Sequence, residues 1–263
     1  MGIFDLFRTW VGFGKPAARA RRRPEISKTE ALEVRRMLTV NVSLAATTLT
    51  VAGTGGDTIE IIQNASGTDV IWNGGGANSQ HFGPGTTIDT IDVTEGTGAG
   101  TITITELLPT TTATVDGGTS MSTLISPTLA NTWDITGTDS GTLNVNTSFT
   151  NIDSLQGGST DDTFLFGATG SLDGSIDGGA GGTNTLDYTN AASAATVDFS
   201  AYSASNVTGG FIDGSINNIV GNGTGDTIIG GNVVNTWDIS GMNSGDVNDC
   251  RPGINTHLRF KAA

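Results

Sequence analysis

Residues 37–250 contain no lysine and no arginine, although 22 aspartates and glutamates fall in that stretch. A body without side-chain cations cannot neutralise phosphates, which argues against nucleic acid or nucleotides as its ligands. It also forms no internal Lys or Arg ion pairs, so its carboxylates must be solvated, hydrogen-bonded or bound to metal ions. Cysteine occurs once, as Cys250, and a single thiol makes neither an intrachain disulfide nor a Cys-based zinc site. Secretion stays open, because a long strand ladder needs no disulfide staples. His81 is the only histidine of the body, in a turn-like Gln80-His81-Phe82-Gly83-Pro84-Gly85, which leaves no two-His metal site and no His-based triad. A phosphate-loop lysine and a Gly-x-Ser-x-Gly elbow are missing too. Apolar residues make up 36% of the chain and charged ones 14%, against about 45–50% and 25% in ordinary domains. No run approaches the roughly 20 apolar residues of a membrane span.

The room is taken by 39 glycines and by Thr, Ser, Asn and Asp. Glycine and short polar side chains favour turns over helix interiors, and threonine favours strands. Apolar residues alternate with Thr or acid in Thr48-Leu49-Thr50-Val51, Thr58-Ile59-Glu60-Ile61, the segment 87–93 and Thr101-Ile102-Thr103-Ile104-Thr105. Each predicts a strand with one buried face, and no helical stripe of comparable length appears in the body.

Charge divides the chain. Residues 1–36 carry nine basic and four acidic residues, and Arg251, Arg259 and Lys261 return positive charge at the end. We expect a basic leader with a short helix over residues 1–38, a first β-strand region over 39–115, a β-repeat region over 116–249 and an aberrant basic tail over 250–263. The leader's helix is expected over 28–38, opened by Ser27 and Glu30 as a capping box. The uncharged segment 37–52 fits a β-strand better than the apolar core of a signal peptide.

Two internal echoes point to a repeat array. Asn131-Thr132-Trp133-Asp134-Ile135-Thr136-Gly137 recurs 104 residues later as Asn235-Thr236-Trp237-Asp238-Ile239-Ser240-Gly241, and Ile152, Gly157, Asp162 and Thr163 recur 64 residues later as Ile216, Gly221, Asp226 and Thr227. Repetition of strand-and-turn units marks arrays in which each unit buries its apolar face on the next. The expected fold class is all-β: a Gly/Thr/Asp-rich repeat array, built as a parallel β-solenoid or β-roll, with successive small β-sandwiches as the alternative. The second 104-residue copy breaks off after Gly245, which suggests a truncated longer array. Trp72, Trp133 and Trp237 are either sugar-stacking platforms or core, and the equivalent repeat positions of Trp133 and Trp237 inside apolar strands favour core.

Two resemblances add expectations. Leu32-Glu33-Val34-Arg35-Arg36-Met37-Leu38 resembles the Leu-Glu-Pro-Arg-x-Leu-Leu motif near the start of large exported proteins of planctomycete-type bacteria, with Leu32, Glu33, Arg35 and Leu38 matching, Val34 in place of the proline and Met37 in place of a leucine. This resemblance implies a targeting or sorting leader. Segments 157–165, 52–60 and 221–229 resemble the Gly-Gly-x-Gly-x-Asp-x-apolar-x nonapeptide of repeats-in-toxin proteins, each departing at one or two glycines, and 178–188 has the same flavour with Asn184 near the aspartate position. That resemblance implies calcium ligation by Asp162, Asp226, Asp57 and Asp161. Adjacent nonapeptides are absent, so the competing expectation is that these aspartates cap turns through their own backbone. The functional expectation is a non-enzymatic, extracellular or cell-surface repeat protein with a structural or adhesive role, stabilised by calcium, whose partners are cell-surface or matrix components including polysaccharide. The alternatives are the leader and scaffold of a larger exported enzyme, or a truncated product without function of its own.

Overall fold

The computed structural model describes residues 40–73, 78–211, 215–223, 225–232, 234–241, 244–248 and 257–262. The expected helical leader over 1–38 lies outside them. One compact unit spans Leu38–Ala263, and among the described residues it is all-β, without a helix.

The chain opens with the hairpin β1 (Asn41–Ala45) and β2 (Thr48–Ala52), then forms an antiparallel meander of β3 (Thr58–Asn64), β4 (Gly67–Trp72) and β5 (Ser79–Phe82). The strands β6 (Thr90–Thr94), β7 (Thr101–Glu106), β8 (Thr112–Asp116) and β9 (Thr123–Ile125) follow, and a second meander comprises β10 (Asn131–Gly137), β11 (Ser140–Leu143) and β12 (Thr147–Thr150). Short strands come next: β13 (Ser154–Gln156), β14 (Asp162–Phe166), β15 (Ile176–Asp177), β16 (Thr185–Asp187), β17 (Thr196–Asp198), β18 (Ser203–Ala204), β19 (Asn218–Gly221) and β20 (Thr227–Ile229). The last three are β21 (Thr236–Gly241), β22 (Ser244–Asn248) and β23 (His257–Ala262).

They assemble into mixed sheets. The largest runs β1-β2-β6-β8-β12-β11-β10-β14-β16-β19-β23-β22-β21, a second runs β15-β13-β9-β7-β3-β4-β5, and a third pairs β18, β17 and β20. From β6 to β9 the chain alternates between the first two sheets, and β6 pairs in parallel with β8, and β7 with β9, 22 residues on: Thr90 with Thr112, and Thr101 with Thr123. The same step recurs between Thr163 and Thr185. Where a meander is inserted the step lengthens, as between Thr48 and Thr90.

Strand alternation sends every second residue inward, so a parallel register stacks like on like. Val51, Val93, Val115 and Phe149 form one buried row, and Ile59, Ile102, Leu124, Leu155 and Ile176 another. Aromatic side chains continue this stacking further along. Trp133, fully buried, lies parallel to Phe164 at 6.0 Å between centroids and 8° between planes, and Phe166 stacks on Tyr188 at 4.8 Å and 5°. Trp133 is therefore core, not a sugar platform; Trp72 is half-buried against the same core.

The 104-residue echo has a structural counterpart. In the first copy Gly141 of β11 pairs with Phe149 of β12, and β12 runs parallel to β8. In the second, Gly245 of β22 pairs with Phe260 of β23, and β23 runs parallel to β19. The basic tail thus supplies the third strand of a second meander, although its sequence resembles nothing in the first.

Candidate functional site

The four aspartates proposed as calcium ligands lie at three separate corners, Asp161 and Asp162 sharing one. Asp57, buried, stands just before β3; its Oδ2 accepts the amides of Thr54 at 2.9 Å and Gly55 at 3.3 Å, and its Oδ1 accepts Asn73 Nδ2 at 2.9 Å. Asp226, half-buried, stands before β20, with Oδ2 taking the Gly223 amide at 3.1 Å and Oδ1 the Ala195 amide at 2.7 Å. Asp162 opens β14 and is fully buried; Oδ2 accepts Gly158 N–H at 2.7 Å, while Oδ1 accepts both the backbone and the Nδ2 of Asn131, at 3.0 and 2.7 Å. Asp161 is exposed and accepts the Thr183 amide at 2.7 Å. Apart from the adjacent pair Asp161 and Asp162, the structure does not bring these carboxylates together. Each one ties a glycine- or threonine-rich turn to its own or the neighbouring coil of chain, which is what a short acceptor side chain does at a turn.

Asp162 also belongs to an arrangement that sequence reasoning missed. Asn131, Asp162, Asn184 and Asn217 occupy matching positions at the strand entrances of successive coils. Asn131 donates its amide to Asp162, Asp162 to Asn184 Oδ1 at 2.9 Å, and Asn184 to Asn217 Oδ1 at 3.0 Å. These amides have no strand partner at the bend, and burial makes an unmet donor costly. Burial raises the Asp162 carboxyl above its ordinary range, and the donors of Asn131 and Gly158 offset part of that rise.

A second buried acid was not anticipated. Glu95 follows β6 at the alternation Ile91, Val93, Glu95, so its side chain points inward; it is 2% exposed. Neither carboxylate oxygen completes a hydrogen bond. Burial, joined by the negative charge of Asp57, pushes its pKa up to about 7, although the amides of Gly96, Asp57 and Gly55 lie near enough to lower it in part. Glycines make the space: a Cβ on Gly53 would lie 2.7 Å from Glu95 Oε2 and 2.9 Å from Asp57 Oδ2, and one on Gly100 would lie 3.0 Å from Glu95 Oε1. Asp57 and Glu95 thus face each other across the turns that lead from β2 into β3 and from β6 into β7. An acid breaking an inward apolar row was the available signal for Glu95.

Elsewhere, His81 Nδ1 meets Asp69 Oδ1 at 2.7 Å on the solvent-facing side of β5 and β4. Among the described residues no group of three or more His, Cys, Asp or Glu side chains converges as a metal cluster. A metal at the Asp57 corner would therefore need backbone carbonyls or water beside its two carboxylates.

No family model, curated protein or solved structure matches the chain. The residues themselves carry the functional argument.

Proposed function

We propose that the protein is a non-enzymatic, exported repeat scaffold: a parallel β-solenoid that works as a structural or adhesive component at the cell surface or in the extracellular matrix, with calcium as a stabilising ion. The observation that carries this reading is the parallel stacking of strands from successive coils, with a 22-residue step that occurs in both large sheets. Such a step makes each coil a unit that contacts its neighbours and can be multiplied without new topology. Its aspartates support the same reading, because Asp116, Asp177, Asp187 and Asp198 each accept an amide two residues on and so close the turn that follows a strand. Outward rows such as Thr50, Asp92 and Thr114 offer short oxygen-bearing side chains to surface or polysaccharide partners.

Deleting residues 101–122, one whole coil, tests the architecture. Gly100 and Thr123 are already joined by a 3.0 Å backbone hydrogen bond across that coil, so the shortened chain should retain a β-type circular dichroism spectrum and a cooperative melt. Deleting 101–111 removes half a coil, swaps strands between sheets and should abolish folding. Equal damage from both deletions would overturn the solenoid reading.

A further inference from the structure

An array of stacked coils needs closed ends, because a terminal coil otherwise exposes the apolar layer that every other coil buries on a neighbour. The end that carries the first coil, β2 and β3, is left open. In the larger sheet β1 lies beyond β2, with Val42 and Leu44 in register with Val51 and Leu49. Val51 and Leu49 are fully buried, whereas Val42 and Leu44 stay half-exposed. In the second sheet β4 and β5 lie beyond β3, and there Trp72 and Phe82 are half-exposed against the core.

The strand β1 also lacks the devices that protect an edge. Asn41-Val42-Ser43-Leu44-Ala45 contains no proline and no charge, and its pairing with β2 runs without a bulge; an edge of this kind is a template for a further strand. Among the described residues β1 and β5 are the terminal strands of their sheets at this end. Residues 37–56 hold no charged side chain, in a body whose residues 37–250 carry 22 acids and no lysine or arginine. Two such bodies repel each other over most of their surface, and an uncharged end is where they can meet. On β5 the one ionisable side chain, His81, is held by Asp69 at 2.7 Å on the solvent-facing side.

The shape of this end selects a second copy of the chain as the occupant. One strand, β1, extends the larger sheet past the first coil, and two strands, β4 and β5, extend the second sheet, so the end is a step one strand high. A twofold axis along the strands sets the tall side of each copy over the short side of the other and fills both steps. We propose that two copies join end to end in this way, β1 of each lying against β5 of the other, so that Val42 and Leu44 cover Phe82 across the junction. Such a contact is isologous and closes on itself. It draws on the strand order and the uncharged end, not on export, calcium or adhesion.

Sedimentation equilibrium of the full chain at micromolar concentration should show a dimer. Leu44→Lys should raise its dissociation constant about tenfold or more, because the contact would bury an unpaired ammonium. Val145→Lys, at a fully exposed position between β11 and β12, should leave it unchanged. Cross-linking identifies the strands: in a Cys250→Ser background, Ser43→Cys and His81→Cys together, both at exposed positions, should give a covalent dimer with a short bismaleimide, while Ser43→Cys alone should give none. If Leu44→Lys fails to fold, the cross-linking pattern decides alone. A monomer at every concentration, an undiminished dimer in Leu44→Lys, or a covalent dimer from Ser43→Cys alone, which would set β1 against β1, overturns the proposal. The coil deletions spare β1 and β5, so failure of the dimer and failure of the scaffold reading are told apart.

Discussion

With divalent cations removed, Glu95 should make stability fall as pH rises. Its folded pKa stands at about 7, against 4.5 for an ordinary glutamate. Between those values the folded state binds a proton that the unfolded state has released, so unfolding sheds it, and folding stability declines with increasing pH. Below about pH 4.5 both states are protonated and the group contributes no penalty. Above about pH 7 the penalty is complete, and at roughly 1.4 kcal/mol per pKa unit it comes to about 3 kcal/mol. Substituting Glu95→Gln removes the titration while keeping the shape of the protonated acid. Urea unfolding of both proteins in chelator, at half-unit steps from pH 5 to 8, measures the difference directly. The glutamine protein should gain on the wild type across that range, by about 2.5 kcal/mol in all and mostly below pH 7. Any constant offset from the new amide drops out, as do the contributions of Asp139 and Asp162, whose carboxyls burial also raises. A difference that stays level from pH 5 to 8 would refute the burial of an uncompensated acid at this corner.

Other substitutions probe the frame around it. Trp133→Ala removes the fully buried ring that stacks on Phe164 and should cost about 3–5 kcal/mol in a denaturant titration. Asp162→Ala leaves the amides of Asn131 and Gly158 without their acceptor and should lower stability by about 3 kcal/mol. Tyr188→Phe deletes a hydroxyl that donates to the Ser205 carbonyl at 2.9 Å, with an expected loss of about 1 kcal/mol. Gly118→Ala places a Cβ against the Gly96 carbonyl at a φ of +81° and should depress the melting midpoint clearly, whereas alanine at Gly85, which has open space around it, should not.

Much of the strand framework was legible because its signals are local. Thr48-Leu49-Thr50-Val51, Thr58-Ile59-Glu60-Ile61 and Thr101-Ile102-Thr103-Ile104-Thr105 became β2, β3 and β7, and the segment 37–52 holds the hairpin of β1 and β2. The 87–93 segment forms a strand only from Thr90, because the amides of Asp89 and Thr90 both turn back to the Thr47 carbonyl. The 22-residue step escaped notice for a physical reason. Parallel stacking demands similar volume and polarity, not identity, so Trp133 pairs with Phe164 and Phe164 with Leu186. The inserted meanders then hide the period by lengthening it at irregular places. The 104-residue echo was visible because it repeats in sequence the first two strands of a meander, β10 and β11, as β21 and β22. At the candidate site, turn glycines drew attention to Asp57 and Asp162 as calcium-repeat positions, but the rung that joins Asp162 to Asn131 and Asn184 depends on contacts between coils that no local motif shows. Glu95 was passed over because Val93-Thr94-Glu95-Gly96 resembles a strand running into a polar turn unless the inward alternation is carried one residue further.

The row of Asn131, Asp162, Asn184 and Asn217 has a direction. Each rung supplies an acceptor to the coil before it and takes its own acceptor from the coil after it. The row ends where the Asn217 amide turns instead to the Asn184 carbonyl. Exchanging a rung residue therefore strands a main-chain donor on the coil upstream, and at Asn131 and Asn184 it also removes an Nδ2 donor from the coil downstream, where they reach Asp162 and the Ser215 carbonyl. Main-chain donors thus depend on the coil that follows them, while the asparagine side chains tie the same coils in the other direction, so each rung couples both of its neighbours.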